Sequence, residues 1–128
     1  MIVLDASVLI AHLDEHDAHH ERATRLLAGT SAEPLGASTI SLAETLVAPT
    51  RAGRLDDAIA ALNRLGVTEL PLGEDAPAKL AQLRAEVGSK LPDCCVLLAA
   101  KETGGSIASF DLALIGSATR LGVPALKS

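Results

Sequence analysis

Aromatic residues are nearly absent: Phe110 is the only one in 128 residues, with no Trp and no Tyr. Any core must therefore be aliphatic, packed by Leu, Ala, Ile and Val. Cysteine is almost as scarce. Cys94 and Cys95 are adjacent, a spacing ill suited to a structural disulfide or a zinc knuckle. They read as small apolar residues on a buried helix, in a reducing cytoplasm. Long apolar runs are missing too. The longest unbroken one, residues 94–100, falls far short of the roughly 20 residues that span a bilayer, and no basic segment precedes a cleavable apolar stretch. These absences predict a soluble, cytoplasmic protein with no membrane partner. Positive charge is in deficit, with 11 basic against 16 acidic residues and a net charge of −5, which argues against a general basic field for holding polyanions. With 48% apolar residues, the chain suits one domain over residues 1–128 with a sizeable core, and is too short for two ordinary ones.

Short apolar runs alternate with longer periodic segments. Residues 2–5 read as a first strand ending in an acid, followed by helices over 7–13 and 19–28. Residues 34–39 are a weak second strand, and 28–33 only a connection. Ser41 can cap a helix running through Glu44 and Leu46, with Glu44 at the capping-box position three residues on. Asp56 or Asp57 starts another helix, whose stripe is Ile59, Leu62 and Leu65 and which Gly66 closes. A third strand over 67–72 leads to a helix over 75–87. Pro92 at a helix N-terminus puts Asp93 in the first turn of an apolar helix that Gly104 and Gly105 end. A fourth strand over 106–109, a helix over 111–121 and a last short strand over 123–126 complete the chain. This alternation implies a mostly parallel sheet with helices on its faces.

Four carboxylates sit where apolar segments begin or end: Asp5 in MIVLDASVLI, Glu44 in SLAETL, Asp93 in KLPDCCVLLAA and Asp111 in SIASFDLALI. Burying unpaired carboxylates is costly, and four converging ones make sense around a divalent cation. In an open parallel sheet, ligands bind beyond the carboxyl ends of the strands. Asp5 ends the first strand and Asp111 follows the fourth, while Glu44 and Asp93 lie in early helical turns that can point at the same end. Mg²⁺ or Mn²⁺ prefers such hard oxygen ligands and retains water, which suits phosphodiester hydrolysis. Ser7 and Ser109 flank the same end and could hydrogen-bond a metal-bound water or a phosphate.

The pattern resembles the PIN domain, and within it the VapC-type toxins of bacterial toxin–antitoxin pairs. The resemblance rests on Val3-Leu4-Asp5-Ala6-Ser7-Val8-Leu9-Ile10, on Ser41-Leu42-Ala43-Glu44, on Leu91-Pro92-Asp93 before an apolar helix, and on Ser109-Phe110-Asp111 after a strand. It spans essentially the whole chain, through the closing Leu121-Gly122-Val123. It implies a three-layer α/β/α sandwich and a Mg²⁺- or Mn²⁺-dependent endoribonuclease, with Asp5, Glu44, Asp93 and Asp111 as catalytic metal ligands and Ser7 and Ser109 as hydroxyl helpers. It also implies an RNA substrate, a cognate antitoxin whose C-terminal segment covers the site, and a homodimer. The net acidity does not oppose this, because metal ions and local Arg or Lys can offset it. Two departures stand out. Ser109 occupies a position where Thr is common, and Ala113 stands where many members carry a further acid, so one ion is expected to bind well and a second only conditionally.

Each acid also has a plainer reading: Asp5 as a strand end, Glu44 as a capping-box partner, Asp93 as a first-turn charge, Asp111 as an N-cap. His16 and His20 have the i, i+4 spacing of a helical metal pair, yet their segment lacks a third ligand and is rich in solvated charge. Arg22, Arg25, Arg51, Arg54, Lys90 and Lys101 default to the surface, with some free to meet RNA phosphates. A phosphoacceptor domain would want an acidic pair after the first strand and an Asp ending the third, where Leu70-Pro71-Leu72 stands. A haloacid-dehalogenase-type phosphatase would want Asp at position 7, which is Ser. A metal- or phosphate-binding module without chemistry is the remaining alternative.

Overall fold

The computed structural model describes residues 1–30 and 32–126. Among these, four strands and seven helices alternate: β1 (Ile2–Leu4), α1 (Ala6–Leu13), α2 (His20–Ala28), β2 (Leu35–Ser38), α3 (Thr39–Arg51), α4 (Leu55–Leu65), β3 (Val67–Leu70), α5 (Ala76–Val87), α6 (Leu91–Thr103), β4 (Ser106–Ala108) and α7 (Leu112–Arg120). The strands form one sheet in the order β3-β2-β1-β4, and every pairing is parallel. Ile2 stands opposite both Leu35 and Ser106, so β1 is fully flanked.

Alternation along the strands divides the interior into two cores. Val3 and Ile107 face one, with Leu83 and Val87 of α5, Cys94 and Leu97 of α6, and Leu114 and Ala118 of α7. Ile2, Leu4 and Ala108 face the other, with Val8 and Leu9 of α1, Leu26 and Leu27 of α2, and Leu62 of α4, against which Leu42 and Leu46 of α3 pack. A sheet covered on both faces explains why the central strand β1 is apolar throughout, while the edge strand β3 carries exposed Thr68 and Glu69. The result is the expected three-layer α/β/α sandwich. Cys94 and Cys95 are free thiols buried in α6.

Several boundaries move, each for a local reason. The N-cap of α3 is Ser38, whose side chain accepts from the Ser41 N–H, so Ser41 lies inside the helix and no capping box joins it to Glu44. Helix α4 begins at Leu55, one residue ahead of the two aspartates, which then lie in its first turn near the positive end of the helix dipole. Gly66 and Gly104 end α4 and α6 at φ 82° and 66°, the left-handed conformation that glycine adopts without strain. The last expected strand reduces to a single bridge between Ile107 and Ala125. Pro124, which lacks an N–H, enters only through its carbonyl, accepting from Ile107. Residue 31 of the 28–33 connection lies outside the described residues.

Candidate functional site

At the carboxyl end of the sheet, Asp5 leaves β1 and caps α1, its side chain accepting from the Val8 N–H at 3.2 Å. Its own N–H donates to the Ala108 carbonyl at 3.1 Å, which ties the turn to β4. Both carboxylate oxygens are engaged. Ser7 Oγ donates to Oδ1 at 2.6 Å, and Ser109 Oγ donates to Oδ2 at 2.5 Å. The same two hydroxyls reach onward, Ser7 Oγ accepting from the Phe110 N–H at 3.1 Å and Ser109 Oγ from the Asp111 N–H at 2.9 Å. Each serine thus fastens the β1–α1 turn to the β4–α7 turn. Asp111 in turn caps α7, its Oδ1 accepting from the Ala113 and Leu114 N–H groups at 2.9 and 3.3 Å.

Asp5 is only 6% exposed. Burial drives its carboxyl above the usual range, against the Ser109, Ser7 and Val8 hydrogen bonds that favour the ionised form, and the Asp111 charge adds to the rise. Asp93, in the first turn of α6 and half-buried, is also raised, first by burial. The Lys90 ammonium partly offsets this, while the charges of Asp111, Asp5 and Glu44 add to it. Asp93 therefore feels the other three acids, each from a different segment, and Asp5 also feels Asp111. Asp5, Ser7, Ser109 and Asp111 are joined by hydrogen bonds. Asp93 reaches Asp5 and Asp111 by electrostatics alone, Glu44 acts on Asp93, and neither carboxylate makes a hydrogen bond or ion pair among the described residues. Glu44 is exposed on α3, free of any capping duty.

Asp93 and Asp111 line one side of a cleft of about 650 Å³ between the turn at residues 88–90 and α7. Glu44 instead lines a groove formed by α1, α3 and α4, and Ser109 a third depression near residues 122–126. Among the described residues, no three His, Cys, Asp or Glu side chains are arranged as a metal-binding group. The donor chemistry nevertheless fits a hard divalent cation: carboxylate and hydroxyl oxygens only, a buried acid without an ion-pair partner among the described residues, and two further acids not held by other bonds. The histidines do not make such a set. His20 Nδ1 lies 2.8 Å from the Ala11 carbonyl and His16 stands exposed beside Glu15.

Two features of this end were not singled out from the sequence. Ser89 and Ser117 share a hydroxyl–hydroxyl bond of 2.8 Å, and Arg120 is pinned beside them. The signal was available: positions 113, 116, 117 and 120 have the i, i+3, i+4, i+7 spacing of one helical face, and Ala113 and Gly116 leave that face open.

Fold and site together define an α/β protein with an all-parallel sheet that gathers acids beyond the carboxyl ends of its strands. The chain belongs to the PIN domain family, whose model matches residues 2–116. Comparison with curated proteins at the sequence level gives no match. Similar solved structures include the toxin VapC20 of Mycobacterium tuberculosis, described as cleaving the sarcin-ricin loop, at 21% identity and TM-score 0.72, covering 91% of this chain and 95% of that one. A toxin–antitoxin complex from Klebsiella pneumoniae aligns at 19% identity and TM-score 0.79 over 99% and 97%. FitAcB of Neisseria gonorrhoeae aligns at 20% and 0.74 over 99% and 97%. At these identities the likeness is one of fold.

Proposed function

We propose that the chain is a metal-dependent endoribonuclease, the toxin of a VapC-type toxin–antitoxin pair. The observation that carries this reading is Asp5, a buried acid bonded to two serines and within electrostatic reach of Asp93 and Asp111. A structural acid would be expected to gain a cationic partner; among the described residues this one has hydroxyls, one backbone N–H and further acids beside it and no ion pair. Asp5, Asp93, Asp111 and Glu44 would hold Mg²⁺ or Mn²⁺, which when bound would supply the Lewis acidity that phosphodiester hydrolysis needs. The serines keep Asp5 in one orientation, and Asp111 is fixed by capping α7. Lys90 brings positive charge to the mouth where a phosphate must approach so acidic a site.

The partners follow from family membership and from the toxin–antitoxin complexes with this fold. An antitoxin covering the acids, a homodimer and a cytoplasmic RNA target belong to the same reading. No described helix is long and apolar enough to cross a membrane. The test is incubation of purified protein with end-labelled RNA. Cleavage should require Mg²⁺ or Mn²⁺, stop with EDTA, and drop on the order of a hundredfold or more in Asp93→Asn. RNA-end sequencing after expression of wild type and Asp93→Asn then maps the target. Metal-independent cleavage, or full activity in Asp93→Asn, would overturn the proposal.

A further inference from the structure

The cleft that Asp93 and Asp111 border is also lined by two cations, Lys90 and Arg120. Arg120, in the last turn of α7, is held there by two hydrogen bonds: Nη2 donates to the Val87 carbonyl at 3.1 Å and to Ser117 Oγ at 3.2 Å. A guanidinium has five N–H donors, so a fixed Arg120 still has hydrogens to offer. Lys90, at the N-cap of α6, lines the same cleft. Ser89 and Ser117 lie between the two cations. Their hydroxyls share one bond of 2.8 Å, which uses one of two O–H hydrogens, so the pair retains a donor whichever hydroxyl gives. Ala113 and Gly116 keep the α7 wall low, and a Cβ built at Gly116 meets nothing within 4 Å.

A cavity of about 650 Å³ is within the range of roughly 300–1,000 Å³ that takes a small ligand. Its lining combines two acids with two cations and a hydroxyl donor, Lys90 lying close enough to Asp93 to act on its carboxyl. No aromatic side chain lines it. Phe110 lies instead under the Arg22 guanidinium, 4.4 Å from the ring centroid, with the His19 ring 5.2 Å away. A site with charge and hydroxyls but no stacking surface recognises a sugar–phosphate backbone rather than a base. We infer that this cleft is the subsite for the nucleotide adjoining the cleaved bond, with Arg120 and Lys90 binding its phosphate, the Ser89–Ser117 pair facing its ribose, and no selection among bases. This rests on the nuclease reading and adds to it where the strand runs and how it is held.

The test measures binding of a short fluorescent single-stranded RNA to the full chain in EDTA, so that nothing is cut, over a series of salt concentrations. Arg120→Gln, which lacks the charge and is two bonds too short for the Val87 carbonyl, should weaken binding about tenfold. It should also reduce the salt slope by about 0.7, the loss of one phosphate contact on a single strand. Arg120→Lys should recover most of the affinity, Lys90→Gln should act like Arg120→Gln, and the losses should be equal for U-, A- and C-tracts. Arg51→Gln, at the opposite end of α3 from its N-cap, controls for removing one surface charge. If wild type cleaves RNA with Mg²⁺ while Arg120→Gln and Lys90→Gln bind like wild type or like Arg51→Gln, the subsite is wrong and the nuclease reading stands. A weakened Arg120→Gln with an unchanged salt slope and no recovery in Arg120→Lys would also overturn it, as a structural role. Failure of wild type to cleave any RNA would remove both.

Discussion

At Asp5 burial and hydrogen bonding pull in opposite directions. Loss of solvent favours the neutral acid, while the Ser109 and Ser7 hydroxyls and the Val8 N–H favour the carboxylate, and burial prevails. A side chain kept for stability alone would not be left in that state; one kept for a cation would. The two cases separate in Asp5→Asn. The carboxamide oxygen can still accept from Ser7 and Val8. Ser109 Oγ, which accepts one N–H from Asp111, retains a lone pair for the new NH₂ group. Without metal, at neutral pH, Asp5→Asn should therefore raise stability by about 0.5–2 kcal/mol, the usual gain from relieving a functional compromise, while RNA cleavage is lost. Thermal melting in EDTA and a cleavage assay on the same preparation check the pair of signs. A variant both less stable and inactive would make Asp5 an ordinary structural cap.

The elements place the acids, and they differ in how far each acid is bound up with its helix. Asp111 is the N-cap of α7 and Glu44 caps nothing. Asp111→Ser keeps a capping oxygen and should hold stability within about 0.5 kcal/mol, whereas Asp111→Ala should lose about 0.5–2 kcal/mol; both should lose activity. Glu44→Gln, on an exposed helical surface, should leave the melting temperature unchanged and still lower cleavage. A Glu44→Gln enzyme of full activity would take Glu44 out of the site. The same distinction marks what the sequence made legible. Asp111 reads as a cap and is one, because its oxygen has the N–H groups of positions 113 and 114 within reach. For Glu44 the capping box was the wrong competitor: Ser38 and Ser41 both carry hydroxyls, and only the turn out of β2 decides that Ser38 caps. The parallel sheet with helices on both faces was readable from the repeated alternation of strand and helix. The helical face that carries Arg120 was legible in its spacing, but its bond to the Val87 carbonyl 33 residues away was not, because a long-range contact between a side chain and backbone leaves no local pattern.

Across the whole molecule the acids form one charge problem, with Asp5 and Asp93 both raised and coupled to Asp111, and Asp93 also to Glu44. A carboxyl whose folded pKa exceeds its unfolded value binds its proton more tightly in the native state. Its native form is thus favoured most at low pH, and stability falls as pH rises from the usual carboxylate range, about 4, through the raised folded value. Metal-free protein should accordingly lose stability over that interval, beyond the loss in Asp5→Asn, where one of the two raised acids is gone. A bound divalent cation requires the same acids ionised, so its affinity must fall on acidification. The stabilisation it gives, about 2.7 kcal/mol at a hundred times Kd, should therefore be largest near neutrality and vanish as the acids protonate. Melting curves of wild type with Mg²⁺ and with EDTA, taken from about pH 5 to about pH 8, should diverge with rising pH, and the gap should close in Asp93→Asn at every pH. A gap independent of pH, or one that survives in Asp93→Asn, would mean that the cation binds somewhere other than these four carboxylates.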